Sequence, residues 1–553
     1  MKKIGNSAFM DKLPRYTLMS LMFGFIMTFV SRTIYSSALG LEIYTTRMFS
    51  PQTAGVFAVS VLAVLFLIYA FTAQHGENQN GKIATFIQTA INSPLTVILL
   101  GILCFRLWYY SNFHSYTIWY DSATYTDFTE NLLLGEVNVF RTPVYPWFIK
   151  LMRLLCIADL ETATAFNCIV IGQGVVSFIG VILMYLIGKK MFKNRFVTYT
   201  LTIVYGISPA VMSWDLNVLT ESLSIFATVL SIYLIMCVIE HPTYLRAALL
   251  GLFVIVMIML RPTFVYMFAI IGAFFLAKLI LSKQSRKQAL CGIVALAISG
   301  ALMLGYCGLN KRDNDCASVS SVGTTINQMY MLIENDIYKN SNYPEITAYI
   351  QTGLDVAGEI NYVTDIIEPM NEQFSNSELS AYVKDCISKY KGVFMRYTAN
   401  KFVQTLTSDV AIQYASIPEE NEMFACVDNA LMMLLFPLNY AACYAIVAAA
   451  VLLAIYEFIK NRVVLWQPIG LAALIFTHMF VSVYASMAEY ERLATMIIPS
   501  VYLLAFWFVD LLAANVKKSE LRNGIVSRGE RVLQKSRDEQ ISEQTGEQTD
   551  EQI

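Results

Sequence analysis

The chain has 553 residues, of which 56% are hydrophobic and only 14% charged, whereas an ordinary soluble domain carries about a quarter charged residues. A formal net charge of -2 leaves no basic excess to neutralise phosphates, so nucleic acid is set aside as a partner. The ten cysteines show no CxxC pair and no Cys/His cluster, so no metal site is expected, and most lie in apolar runs where a thiol packs as a small hydrophobe.

Apolar stretches long enough to cross about 30 Å of hydrocarbon recur near residues 16 to 30, 53 to 73, 94 to 110, 164 to 188, 196 to 213, 218 to 239, 246 to 260, 263 to 282, 289 to 309, 428 to 458, 464 to 487 and 493 to 515. They are apolar on both faces, as helices in lipid are and barrel strands are not. The expected fold is therefore an all-α polytopic membrane protein with about twelve transmembrane helices. The stretch at 428 to 458 is long enough to tilt or to begin with an interfacial turn. The turn at Arg261-Pro262 is tight enough for two helices to be one kinked helix.

Lys and Arg in short loops favour the cytoplasm. With Lys2, Lys3, Lys12 and Arg15 inside, alternation also places inside Lys189, Lys190, Lys193 and Arg195, then Lys283, Arg286 and Lys287, then Lys460 and Arg462, and finally the basic stretch from Lys517 to Arg537. Five clusters agree with one topology. The first span reads as an anchor rather than a cleaved signal, because Arg32 interrupts its exit and the small-residue cleavage site is poor. The organisation expected is an N-terminal transmembrane region, 1 to 309, containing a first exterior loop at 111 to 163; an exterior, mostly helical domain at 310 to 427; C-terminal helices at 428 to 516; and a disordered cytoplasmic tail at 517 to 553 whose end repeats Glu and Gln with almost no apolar content. Cys316 and Cys386 are candidates for a disulfide across the exterior domain if that side is oxidising.

Ionisable groups at membrane depth or at its edge are costly and mark functional sites. The richest cluster follows the third span: Trp119, Tyr120, Asp121, Ser122 and Tyr125, then Gly135 and Glu136, then Arg141, Thr142, Pro143, Tyr145 and Pro146. An acid, an arginine and two prolines in one loop hold a carboxylate and a cation in a stiff frame, suited to activating a hydroxyl beside a phosphate. This run resembles the first exterior loop of the GT-C glycosyltransferases, the superfamily of protein O-mannosyltransferases and bacterial aminoarabinose transferases. Pro209 with Thr220-Glu221, Leu260-Arg261-Pro262, and Glu491-Arg492 with Pro499 resemble later segments of that family in the same order. Many relatives carry a second acid after the catalytic Asp; Ser122 stands there in this chain, so donor or metal habits tied to that acid are not carried over.

The resemblance implies an inverting transferase in which one base, Asp121, takes the proton of the acceptor hydroxyl; read alone, Asp121 is equally a helix cap. Arg141 is a substrate-positioning group or a snorkelling anchor. Arg492 binds the donor phosphate or forms a surface ion pair with Glu489 and Glu491. Arg261 and Glu221 are site residues or structural ones, Glu221 complementing a helix dipole. Tyr125, Tyr145 and Glu491 complete the expected substrate-binding set, while His114, the loop's only histidine, reads as solvated. The expected partners are a polyprenyl-phosphate-sugar donor, membrane lipid, and a glycan, lipid or protein acceptor; no cofactor is expected, and no GxxxxGK nucleotide loop appears. Competing readings are a transporter, which would show repeated halves and acids near the midplane, and a polysaccharide polymerase or ligase.

Overall fold

The computed structural model describes residues 4–38, 51–75, 82–113, 116–129, 137–157, 162–281, 286–322, 326–356, 360–410, 415, 417–418, 421–436, 438–485 and 490–515. His114, Gly135, Glu136, Glu489 and the tail at 517 to 553 lie outside them. Among the described residues all regular structure is helical, and the only β-type pairings are isolated bridges, Thr117 with Asn217 and Asp409 with Asn439. Eight helices are long and apolar enough to span a membrane, or nine if one bent pair counts as a single span; three further apolar helices are shorter. Length and composition therefore do not by themselves reach the expected count of about twelve.

The helices that matter for the site run in chain order as follows: α1 (Ile4–Ala38), α2 (Pro51–His75), α3 (Lys82–Asn92), α4 (Pro94–Tyr110), α5 (Tyr120–Asp127), α6 (Val144–Cys156), α7 (Ala163–Met191), α8 (Arg195–Gly206), the short α9 (Pro209–Met212), α10 (Glu221–Glu240) and α11 (Tyr244–Leu260). The α8–α9 pair is the bent span, turned by 52°. Its cause is local: Pro209 has no N–H to continue the ladder, and Ser208 before it is extended (φ -73°, ψ 121°), the conformation imposed on a residue preceding proline. The same rule ends α11, where Arg261 is extended (φ -151°, ψ 117°) ahead of Pro262. The long stretch at 428 to 458 divides into two helices, Glu422–Leu435 and Tyr440–Asn461, the second capped by Asn439 accepting from the Ala442 N–H at 2.9 Å.

One apolar core joins α4 through α11 to the C-terminal helices. A second core forms between residues 326 and 386, built on Met329, Leu332, Tyr338, Ile350, Ile366, Tyr382 and Val383. Phe140 from the first loop packs against it, and the Val139 carbonyl accepts from the Ser321 N–H at 2.9 Å. Cys386 is buried in this second core and Cys316 lies against Ser318 Oγ at 3.1 Å, both as free thiols. The expected Cys316–Cys386 pair is not formed. The disulfide is instead Cys156–Cys168, tying the end of α6 to α7 across a 12-residue separation, and sequence alone had no means of setting either separation. Replacing Cys156 and Cys168 by serine is expected to destabilise the protein by about 3 kcal/mol. Thermal unfolding in detergent checks this: dithiothreitol should lower the wild-type transition and leave that of the double variant unmoved.

Candidate active site

The helix α5 is placed by its approach. Thr117 pairs with the backbone on either side of Asn217, donating to the Leu216 carbonyl at 2.9 Å and accepting from the Val218 N–H at 3.0 Å. Trp119 Nε1 donates to Asn217 Oδ1 at 2.9 Å, and Ser122 Oγ accepts the Trp119 N–H at 2.9 Å, capping the helix. Asp121 falls in its first turn, with 29% of the side chain exposed.

Both Asp121 oxygens are taken by guanidiniums. Arg141 Nη2 lies 2.7 Å from Oδ1, and Arg492 Nη1 lies 2.9 Å from Oδ2. Arg492 Nε continues to Glu221 Oε1 at 2.6 Å, and Arg261 Nη1 reaches the same oxygen at 2.7 Å. Five residues from separate segments thus form one chain: Arg141, Asp121, Arg492, Glu221, Arg261. Three cations face two carboxylates, so the chain carries an unbalanced positive charge. Glu221 is fully buried, and its other oxygen, Oε2, has no hydrogen-bond partner. Burial pushes the Asp121 carboxyl up, but the Arg141 and Arg492 guanidiniums outweigh that and hold it at about 2, so it is ionised throughout the neutral range.

Each member is held from behind. Arg141 Nε donates to Thr124 Oγ1 at 2.9 Å and its guanidinium lies over the Tyr125 ring, 4.4 Å from the centroid; such a stack adds attraction of about 1 kcal/mol. Tyr125 meets Tyr145 edge to face at 5.0 Å. The turn carrying Arg492 is fixed by Tyr440 Oη donating to the Tyr490 carbonyl at 2.7 Å, and by His478. His478 Nε2 lies 2.8 Å from the Leu493 carbonyl, which can only accept, so Nε2 carries the proton and Nδ1 receives the Tyr266 hydroxyl at 2.9 Å. Glu491 is half-buried and does not join the chain; a neighbour on a helix points about 100° away from Arg492.

The sequence reading passed over a second polar group. Arg106 and Asp215, each 1% exposed, form a buried pair at 3.4 Å between α4 and the turn after α9. Tyr110 donates to Asp215 Oδ2 at 2.6 Å and Ser222 to Oδ1 at 2.5 Å. A charge inside the run 94 to 110, at Arg106, and another in the short break between the runs 196 to 213 and 218 to 239, at Asp215, were the available signal. Among the described residues no group of three or more His, Cys, Asp or Glu side chains is arranged to hold a metal ion.

Residues 141–303, which include Arg141, Tyr145, Glu221 and Arg261, match the model of the dolichyl-phosphate-mannose-protein mannosyltransferase family. Over this segment the chain resembles a GT-C glycosyltransferase family. The matched segment is less than a third of the chain, and Asp121 and Arg492 fall on either side of it. Among solved structures, it is similar to the archaeal oligosaccharyltransferase AglB from Archaeoglobus fulgidus in complex with an inhibitory peptide and a dolichol-phosphate. The identity is 12%, the TM-score 0.39, and the alignment covers 73% of this chain and 48% of that one. A second Archaeoglobus fulgidus oligosaccharyltransferase structure, a complex with Zn and sulfate, aligns at 12% identity and TM-score 0.39 over 75% and 51% of the two chains. The chain thus spans about half the length of these structures. A search of curated proteins returns no match.

Proposed function

We propose that this protein is a GT-C membrane glycosyltransferase that moves a sugar from a polyprenyl-phosphate carrier to an acceptor hydroxyl on the outer face of the membrane, with inversion. The observation that carries the reading is the five-residue ionic chain, in which three guanidiniums face two carboxylates, the buried Glu221 and the partly exposed Asp121. Arg492 bridges Asp121 and Glu221. A donor phosphate competes for Arg492 and, with the sugar between them, separates it from Asp121, restoring the carboxylate as a base. The acceptor oxygen then bonds to the anomeric carbon, its proton passes to Asp121 Oδ2, and the bond from that carbon to the phosphate oxygen breaks with its electron pair remaining on phosphate. Arg492 and Arg261 stabilise that developing charge. The unpartnered Glu221 Oε2 accepts from a sugar hydroxyl.

An apolar cavity of about 380 Å³ is lined by Val137, by Pro143 and Val144 directly after Arg141 and Thr142, and by Trp147, Met259 and Tyr306. It suits the isoprenoid part of such a donor. The outer placement draws support from the five basic clusters and from the Cys156–Cys168 disulfide beside the site's own loop, since disulfides persist where the compartment is oxidising. We further propose residues 310 to 427 as an exterior domain, with 1 to 309 and 428 to 516 as membrane regions and 517 to 553 as a cytoplasmic tail.

Purified protein incubated with synthetic polyprenyl-phosphate-linked and nucleotide-linked hexoses and pentoses tests the donor: product from the nucleotide sugars alone ends the proposal. Orientation is tested by cysteines at Ala123 and Ser377, both exposed, in a Cys426→Ser background. Both positions should react with a membrane-impermeant maleimide in intact cells. Labelling of position 123 only after permeabilisation would reverse the topology.

A further inference from the structure

We propose that Gln173, in the middle of α7, is a positioning residue that holds Arg141, and through it Asp121, in catalytic register; the proposal rests on the function proposed above. Gln173 is fully buried in the middle of a mostly apolar span that also buries Asn167 and Ser177, and an amide there is costly unless its groups are met. They are met by two different segments. Its Nε2 donates to the Asp215 carbonyl at 3.0 Å and to the Asn217 carbonyl at 2.8 Å. Its Oε1 accepts from the Tyr145 hydroxyl at 2.8 Å.

The turn at residues 213–218 is therefore a common base for both sides of the site. Through Asn217 it fixes the approach to α5. Through Asp215 it holds Ser222, next to Glu221. Gln173 adds the third attachment: Tyr145 fixed by the amide, Tyr125 packed on Tyr145, and Arg141 lying over Tyr125. Nothing in this line touches the Arg492 side, which is anchored by Tyr440 and His478. Loss of the amide lets the two tyrosine rings shift, and Arg141 with them. A misplacement of about 1 Å costs on the order of 10²-fold in rate.

The experiment measures transfer from a polyprenyl-phosphate-sugar by Gln173→Leu, Tyr145→Phe and Arg141→Ala, singly and as the double variants with Arg141→Ala, each shown to be monodisperse. Gln173→Leu is expected to lower kcat by about 10²-fold with the donor KM within a few-fold of wild type. Tyr145→Phe, which keeps the ring and removes one hydrogen bond, serves if the leucine variant does not fold, and should lower kcat several-fold. In the Arg141→Ala background neither change should lower kcat further, because a residue that acts through Arg141 has nothing left to position. Equal losses in both backgrounds, or a loss confined to KM or to melting temperature, overturn the proposal. Asp121→Asn is run alongside. If it stays active, the proposed function fails; if it is inactive while Gln173 effects remain additive with Arg141→Ala, only this inference fails.

Discussion

Asp121→Asn is expected to lower transfer by roughly 10² or more, the usual contribution of a positioned general base. The substitution preserves size and removes the carboxylate that joins Arg141 to Arg492. Donor binding should survive and tighten: the chain then sets three guanidiniums against one carboxylate, and Arg492 no longer needs to be drawn from Asp121 before it meets phosphate. Asp127→Asn, in the last turn of the same helix and exposed, is the control and should cost little. The check is a paired measurement of turnover and of polyprenyl-phosphate affinity in purified protein. Near-normal transfer by Asp121→Asn with loss in Asp127→Asn would move the base to Asp127; activity in both would remove general-base catalysis from this loop.

Arg492→Ala should act on the opposite end of the reaction, lowering kcat by about 10²- to 10³-fold, as the loss of one preorganised donor to developing negative charge does, and weakening polyprenyl-phosphate binding as well. The protein should still fold, since Glu221 keeps Arg261 at 2.7 Å and is not left as a buried, unpaired charge. Arg492→Lys should recover only part of the loss. A single ammonium cannot reproduce a fork that meets Asp121 through one nitrogen and Glu221 through another. The opposite result, weak donor binding in Asp121→Asn and intact binding in Arg492→Ala, would invert the two assignments.

Much of this arrangement was legible in the sequence because lipid makes charge conspicuous. Asp121, Arg141, Glu221, Arg261 and Arg492 were singled out as ionisable groups at the edges of apolar runs, and the fold brings all five into one ionic chain. Their order along that chain was not legible: it depends on the 52° break at Pro209 and on a helix more than 270 residues beyond Glu221. Glu491 shared its signal with Arg492 but faces another way. Gln173 and Thr124 were missed for different reasons. Thr124 is an ordinary loop residue until Arg141 is seen to donate to it. Gln173 lies between two glycines in a mostly apolar span, and an amide in that setting was readable. The Cys156–Cys168 bond follows from how α6 returns to α7, a geometry that spacing does not encode.

The contact between Arg492 and Asp121 also sets a schedule for biogenesis. At about 5–20 residues per second, the ribosome delivers Arg492 roughly 20 to 75 s after Asp121, and the last span, Tyr490–Asn515, brings with it Asp510, whose carboxylate accepts from the N–H groups of Lys193 and Asn194 at 3.1 and 2.9 Å. Until that span is inserted, Asp121 has only Arg141, Glu221 has only Arg261, and the loop between α7 and α8 lacks its acceptor. A nascent or truncated chain therefore lacks the cation that joins Asp121 to Glu221, and it gains that cation in the same step that supplies Asp510 to the loop between α7 and α8.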